Sequence, residues 1–410
     1  MQKQLLHSFQ QAGIGASLFF ILVFILTACG SGNGSSITSS SASSTAISPN
    51  TSVTVSTKSI ALDGTTPIPS VKLGAQPCPA SVSAPTHWDP IIPTKVNLSR
   101  VESVTCANLI GNASLQALVN ERISGTGHFL NVYVYDNITS ANPTQLFKLQ
   151  GLEHGAAKIS GYNTITTAEV DPNSSININQ PNAGLTQDLF REFKWSDGAG
   201  KFVPVAFPGI FPDLTRYQAE SDQQQVSQGH QPWKLDAAMT ANTLAVTMLK
   251  WSTSATTTIV SGGGKNDLNA VVNVKSAKQV PGMIQVTMTR LEGNTNGGIW
   301  IATAVTSNGM SITAPISRDL LTSPTTVTGR GNAFEGRIGP VTILDHNYTA
   351  IGHADANGAI GNGNTTFSTN VSYNSSFKSG VQEGIVALYS YSNADGSIAG
   401  AVFVKVLLSA

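Results

Sequence analysis

Asp345, His346, His353 and Asp355 crowd into the stretch LDHNYTAIGHAD, residues 344–355. Imidazoles and carboxylates at that density are the usual ligands of a transition metal or the proton carriers of a hydrolase. Apolar residues alternate on either side, so the stretch reads as two strands and a turn. With His346 and Asn347 in the turn, residue 353 stands opposite residue 340, about five residues and roughly 17 Å along the strand from His346. One ion cannot be ligated across that gap, and no metal is expected. DANGAIGNGN, residues 355–364, offers calcium-type oxygens but lacks the terminal bidentate acid.

Other chemistry-bearing patterns fail on spacing. SGGGKND (261–267) and SDGAGKF (196–202) lack the hydroxyl that follows the lysine of a phosphate loop, and both sit between strands, so they read as hairpin turns. Neither a GxSxG elbow nor an HExxH helix occurs, and no serine stands in the company of a particular histidine and carboxylate. These residues give no grounds to expect an enzyme or a bound cofactor. His230 and Trp233, in GHQPWKLD (229–236), are the candidate contact surface, because tryptophan is enriched where proteins touch.

Charge excludes other classes. Lys and Arg number 23, Asp and Glu 23, and only 11% of residues are charged. That balance leaves no basic footprint for nucleic acid. The N-terminus supplies a location instead. Lys3 precedes the uncharged run GIGASLFFILVFILTAC, whose last four residues, Leu26 to Cys29, resemble a bacterial lipobox. The resemblance implies a signal peptide over 1–28, lipidation of Cys29, and a mature chain anchored to the cell membrane on its extracytoplasmic face. Residues 29–75 are rich in Ser and Thr and poor in apolar surface, which makes them a disordered tether. About 50 such residues reach roughly 40 Å. Outside the cytoplasm the two remaining cysteines, Cys78 and Cys106, are expected to form a disulfide, because no histidine cluster or CxxC completes a metal site around them. Closing that loop stabilises by roughly 3.5 kcal/mol in the chain-entropy picture.

The elements that must position all this are mainly strands. Residues 76–212 read as a β-rich domain, with alternation in FLNVYVYDN (129–137), a hairpin at Ser196–Gly200, and one helix over 112–123. Residues 213–310 change period. An exposed polar helix ends at Gly229, and a second opens at Pro232 with Leu235, Ala238, Met239, Asn242, Val246 and Leu249 on one face. Four strand patterns follow, TTTIVSG, LNAVVNVKS, MIQVTMTRL and GIWIATAV. Helix then antiparallel sheet gives an α+β middle domain whose pattern resembles the cystatin and nuclear-transport-factor-2-like cones.

Residues 311–410 carry seven short strand patterns at regular spacing, which indicate an immunoglobulin-like β-sandwich. In TVTGRGNAFEGRIGPVTIL the glycines are expected to bend the chain between two strands. Phe334 would fill the sandwich, and Glu335 would point outward beside Arg330 and Arg337. SPTTVTGRGNAFEG, VTILDHNYTAIGHA, TTFSTNVSY and GIVALYSYSNADGSIAGAVFVKVLL together resemble the immunoglobulin-like domain of bacterial spore-germination proteins. That family carries no catalytic residues, so the resemblance implies an accessory or interaction module.

The chain is thus expected to be multidomain and mainly β, a lipid-anchored protein that binds or scaffolds an envelope protein or wall polymer. A small-ligand carrier with a pocket in the middle domain is the alternative, and an envelope hydrolase assembled from distant residues a weaker one. Cys29→Ser is expected to move the protein from the membrane fraction to the soluble fraction on cell fractionation. Retention in the membrane would mean a spanning anchor instead.

Overall fold

A computed structural model describes residues 71–92, 98–278, 281–290, 292, 296–359 and 363–410. They lie within one compact unit, Thr66–Ala410. Cys29, the signal segment and most of the tether fall outside the described residues. The described chain is mainly β, and among its helices none is long and apolar enough to cross a membrane.

Strands β1 (Ser99–Ala107), β2 (Gln116–Ile123), β3 (Leu130–Asp136) and β4 (Thr144–Leu152) form an antiparallel meander in chain order. The helix expected over 112–123 is therefore strand β2. Its residues Gln116 to Glu121 are all buried, with Ala117 and Val119 facing one core and Leu118 the other. A strand covered on both faces loses its two-residue alternation, and its apolar run is then open to a helical reading. Two short helices, α1 (Ala80–Ser83) and α2 (Pro85–Trp88), cover the face bearing Val119 and Tyr133. Trp88 is fully buried there and donates its indole N–H to Val82 O at 2.8 Å. Cys78 and Cys106 form the expected disulfide, tying this cover to β1. The other face packs on a second meander, β5 (Ala156–Ile159), β6 (Ile165–Glu169), β7 (Leu189–Ser196) and β8 (Lys201–Pro204), through Ile165 and Phe202.

Helix α3 (Arg216–Ser227) starts where Thr215 accepts from Gln218 N, and its chain turns at Gly229, whose N–H bonds Val226 O. Helix α4 (Ala237–Leu249) begins later than Pro232. Pro232–Leu235 form one 3₁₀ turn, and Asp236 caps the helix by accepting from Met239 N at 2.9 Å. Its buried face is Ala237, Thr240, Ala241, Leu244, Ala245 and Leu249, while Met239 is 54% exposed. The face expected from the larger apolar residues is thus rotated. Small side chains let the helix axis approach the sheet closely, and this close contact outweighs burial of Met239.

Strands β9 (Thr256–Gly262), β10 (Asn269–Lys275), β11 (Met283–Thr289) and β12 (Ile301–Thr306) form the expected meander beneath α4. It does not end at residue 310. The C-terminal strands are β13 (Ser311–Ala314), β14 (Leu320–Leu321), β15 (Thr325–Ala333), β16 (Arg337–Leu344), β17 (Ala350–Asn357), β18 (Gly363–Val371), β19 (Val381–Tyr391) and β20 (Ile398–Ser409). β12 pairs with β20 at Val305 and Phe403, so one sheet runs β17-β16-β19-β20-β12-β11-β10-β9, with β14 beside β20. The small sheet β13-β15-β18 faces the β16–β19–β20 end and completes a sandwich filled by Val327, Phe367, Val386, Leu388, Val402 and Val406. The opposite face of the long sheet presents Ile385, Ala387, Ala401 and Phe403 to the same core as Leu244 and Trp300. Residues near 212 also continue across the expected boundary there, since Ile210 N bonds Ala302 O and Ala302 N bonds Phe211 O, each at 2.7 Å.

One charged pair lies inside these layers. Lys405 of β20 is 1% exposed, and its Nζ donates to Gly209 O at 2.9 Å and to Leu214 O, 3.4 Å from Glu383 Oε2. Glu383 Oε1 accepts from Phe207 N at 2.9 Å. Burial raises the Glu383 carboxyl and lowers the Lys405 ammonium, each opposed by the other's charge. Removing one partner of such a pair strands the other charge, at about 3–5 kcal/mol. Lys405→Met is therefore expected to lower unfolding free energy by about that amount in urea titration. Adding Glu383→Gln should recover most of the loss.

Candidate functional site

The hairpin joining β15 to β16 closes with reciprocal backbone bonds, Phe334 N to Arg337 O at 2.9 Å and Arg337 N to Phe334 O at 3.0 Å. Glu335 and Gly336 between them have φ of 52° and 84°. Positive φ at both central positions is type I′ geometry, the two-residue turn whose twist matches the flanking strands. Of the glycines in GRGNAFEG only Gly336 sits in the turn. Gly329 and Gly331 lie within β15, where a Cβ at Gly331 would stand 2.2 Å from the Ile338 side chain. They make room for neighbours and do not bend the chain.

Phe334 does not fill the sandwich; it is 52% exposed. Counting by twos from buried Val327 places residues 329, 331 and 333 inward, and Phe334 outward beside Arg330 and Asn332. Beside this hairpin, at the C-terminal end of β19, Tyr391 is 47% exposed. The two rings border one groove of about 650 Å³, lined also by Asn332, Arg337, Ser390 and Asn393. Two irregularities flank it. The register of β16 against β17 shifts between Arg337 and Gly339, and that of β19 against β20 between Ser390 and Tyr391. Bulges at a sheet's end re-aim the side chains beside them. A Cβ at Gly339 would meet Tyr389 O at 1.9 Å, which fixes how closely β16 and β19 approach at the groove's floor.

The groove is polar at its edges. Arg337 pairs with Asp355 at 2.9 Å, but both side chains are at least half exposed, so the pair contributes at most about 1 kcal/mol. A guanidinium has five N–H donors, and this contact leaves several facing solvent. Two aromatic faces with amide, hydroxyl and guanidinium groups between them can hold a flat, hydroxyl-rich or extended ligand.

Residues 310–397 match the model of a family described as the immunoglobulin-like domain of bacterial spore germination. No curated protein matches the chain. The hairpin, both rings and both bulges lie within or at the edge of that immunoglobulin-like domain. β20 begins just beyond the match, yet it supplies Val402, Val406 and Leu408 to the domain's core.

The other candidate residues are dispersed. Asp345 is a turn-forming residue, with Oδ1 accepting from Asn347 N and Thr349 N, each at 2.8 Å. The turn therefore spans more than His346 and Asn347, and His353 pairs opposite Thr342, not residue 340. His346 is buried with Nε2 3.3 Å from Asp188 Oδ2, across from β7. Burial acts to raise the Asp188 carboxyl, but hydrogen bonds from His346, the Asp171 N–H and Ser174 hold it below its usual value. His353 and Asp355 are exposed on β17. Among the described residues no cluster of three or more His, Cys, Asp and Glu could hold a metal. The loops 261–267 and 196–202 connect antiparallel strands β9–β10 and β7–β8.

His230 is exposed after α3, whereas Trp233 is half-buried against the α4 core, its ring 6.4 Å from that of Phe211. The two are not brought into the groove. Sequence reading missed Tyr391 and Asn393. The strand-end parity of Phe334 is a usable signal, but Tyr391 shares the parity of buried Tyr389 and gives none. Because Gly336 occupies φ of 84°, Gly336→Ala is expected to cost about 1–2 kcal/mol in thermal or urea unfolding.

Proposed function

We propose that this is a non-catalytic, lipid-anchored protein of the extracytoplasmic face that binds a wall polymer through the groove of its immunoglobulin-like domain. The match of residues 310–397 to a spore-germination module supports an accessory, binding role in a germination-associated setting. The exposed pair Phe334 and Tyr391 carries the assignment of the surface. Large aromatic side chains left in water at the mouth of a groove are unfavourable in isolation and are typical of contact hot spots. Stacking suits the flat apolar faces of sugar rings, and Asn332, Asn393 and Arg337 supply donors for hydroxyls. The low overall charge fits a neutral glycan better than a polyanion. Lipid at Cys29 and the long tether would let the domain reach into the wall.

The test is co-sedimentation of the full chain with walls stripped of protein. Truncating a hot-spot aromatic typically costs 2 kcal/mol or more, about 30-fold in affinity. Phe334→Ala and Tyr391→Ala should each weaken wall binding by about that factor without lowering thermal stability. Equal binding by wild type and both variants would rule out the groove. Binding seen only with untreated walls would assign it to a protein partner.

A further inference from the structure

A second concavity, of about 590 Å³, opens between residues 185–190, which lead into β7, and the exposed side of α3. Asp213 lies at its base, 5% exposed, and its Oδ2 meets no donor among the described residues. A buried carboxylate oxygen without a partner is costly unless something supplies the missing donor. Lys234 is near enough to favour its charge, but the Lys234 ammonium is bonded to Asp222 of α3, which lines the same concavity. Two carboxylates thus share one cation.

The other charged or titratable groups facing Asp213 do not correct the imbalance. Glu292 pushes the Asp213 carboxyl further up, and Tyr348 has its hydroxyl committed to Ile210 O and Pro212 O. Arg216 is bonded to Glu192 at 2.7 Å and Glu292 at 2.6 Å. Burial leads in raising Asp213, to about 6, against the pull of Lys234. Beside the carboxylate stands a fixed apolar wall. Phe190 stacks on Tyr217 with centroids 5.3 Å apart, and Lys158 lies 4.6 Å from the Tyr217 centroid.

We propose that this pocket binds a small organic cation, with a primary ammonium seated on Asp213 and its apolar body against Phe190. A metal ion would find only two carboxylates, too few ligands for a closed coordination sphere. An ammonium supplies both the donor and the charge that Asp213 lacks, and a low-dielectric site strengthens that contact. The site shares no residue with the groove and does not depend on it.

Three probes of one shape and different charge test it: cyclohexylammonium, cyclohexanol and cyclohexanecarboxylate, titrated into the purified full chain at pH 7 by calorimetry. The ammonium should bind at least tenfold more tightly than the alcohol, and the carboxylate more weakly still. Asp213→Asn should abolish that preference. Ser221→Lys, at the half-buried rim on α3, should do the same by placing a resident ammonium in the mouth, and it decides the matter if Asp213→Asn fails to fold. Equal affinity for the three probes, no binding by the ammonium at millimolar concentration, or a preference unchanged in the variants would overturn the assignment.

Discussion

Lys405 and Glu383 sit on neighbouring central strands of a sheet that is buried on both faces, and the layers around them are arranged so that neither charge reaches water. The ammonium must find acceptors inside, and it does so on the backbone of residues 209 and 214. The carboxylate draws in the N–H of Phe207. The irregular segment 207–214 is thereby fixed against the sheet. Ile210 within it, which bonds Ala302, and Thr215 after it, which caps α3, inherit that position. Arg191 extends the same logic outward, donating from β7 to Val381 O at 2.9 Å. A pair of this kind contributes little net stability, but it tolerates few alternative packings. It joins the second meander, α3 and the long sheet into one body.

Both candidate sites lie where this layering stops. The groove forms at the end of the sandwich, around the last paired residues of β15 and β19, where Phe334 and Tyr391 stand exposed. The Asp213 pocket forms beside the fixed segment, where α3 leaves the sheet. In each, rigid strands hold the walls and the exposed groups belong to element ends, the arrangement from which binding surfaces are usually made.

Much of this was legible in the sequence because period and punctuation are local. Seven of the eight C-terminal strands, the turn at Ser196–Gly200, and the four strands beneath α4 all follow from alternation and turn residues, whereas the two-residue β14 does not. What escaped depends on partners distant in the chain. β2 reads as a helix because burial on both faces removes its alternation. The larger apolar residues of α4 point to a different face, because the Ala and Thr of its buried face serve closeness to a sheet that the helix sequence does not contain. Size alone places Phe334 inward, although its parity, opposite to that of buried Val327, points outward. Tyr391 shares the parity of Ile385, Ala387 and Tyr389, which are buried in the core beneath α4, so alternation alone reads it as inward; only the end of that core leaves it exposed. The isolation of Asp213 is set by Asp222 taking Lys234, a matter of three-dimensional competition that no spacing records.

The order of strands carries a further consequence. β20 occupies the middle of the long sheet, yet it follows every other strand in the chain, and it meets β12 across nearly a hundred residues of sequence. Pairings so remote in sequence form late. Until β20 arrives, β12 and β19 each present an unpaired edge, and the meander under α4 cannot join the sandwich. This placement acts as a completion check on the fold. The interior sheet closes only once β20 is in place, and a chain cut short of residue 398 would keep two open edges available for wrong pairing or proteolysis.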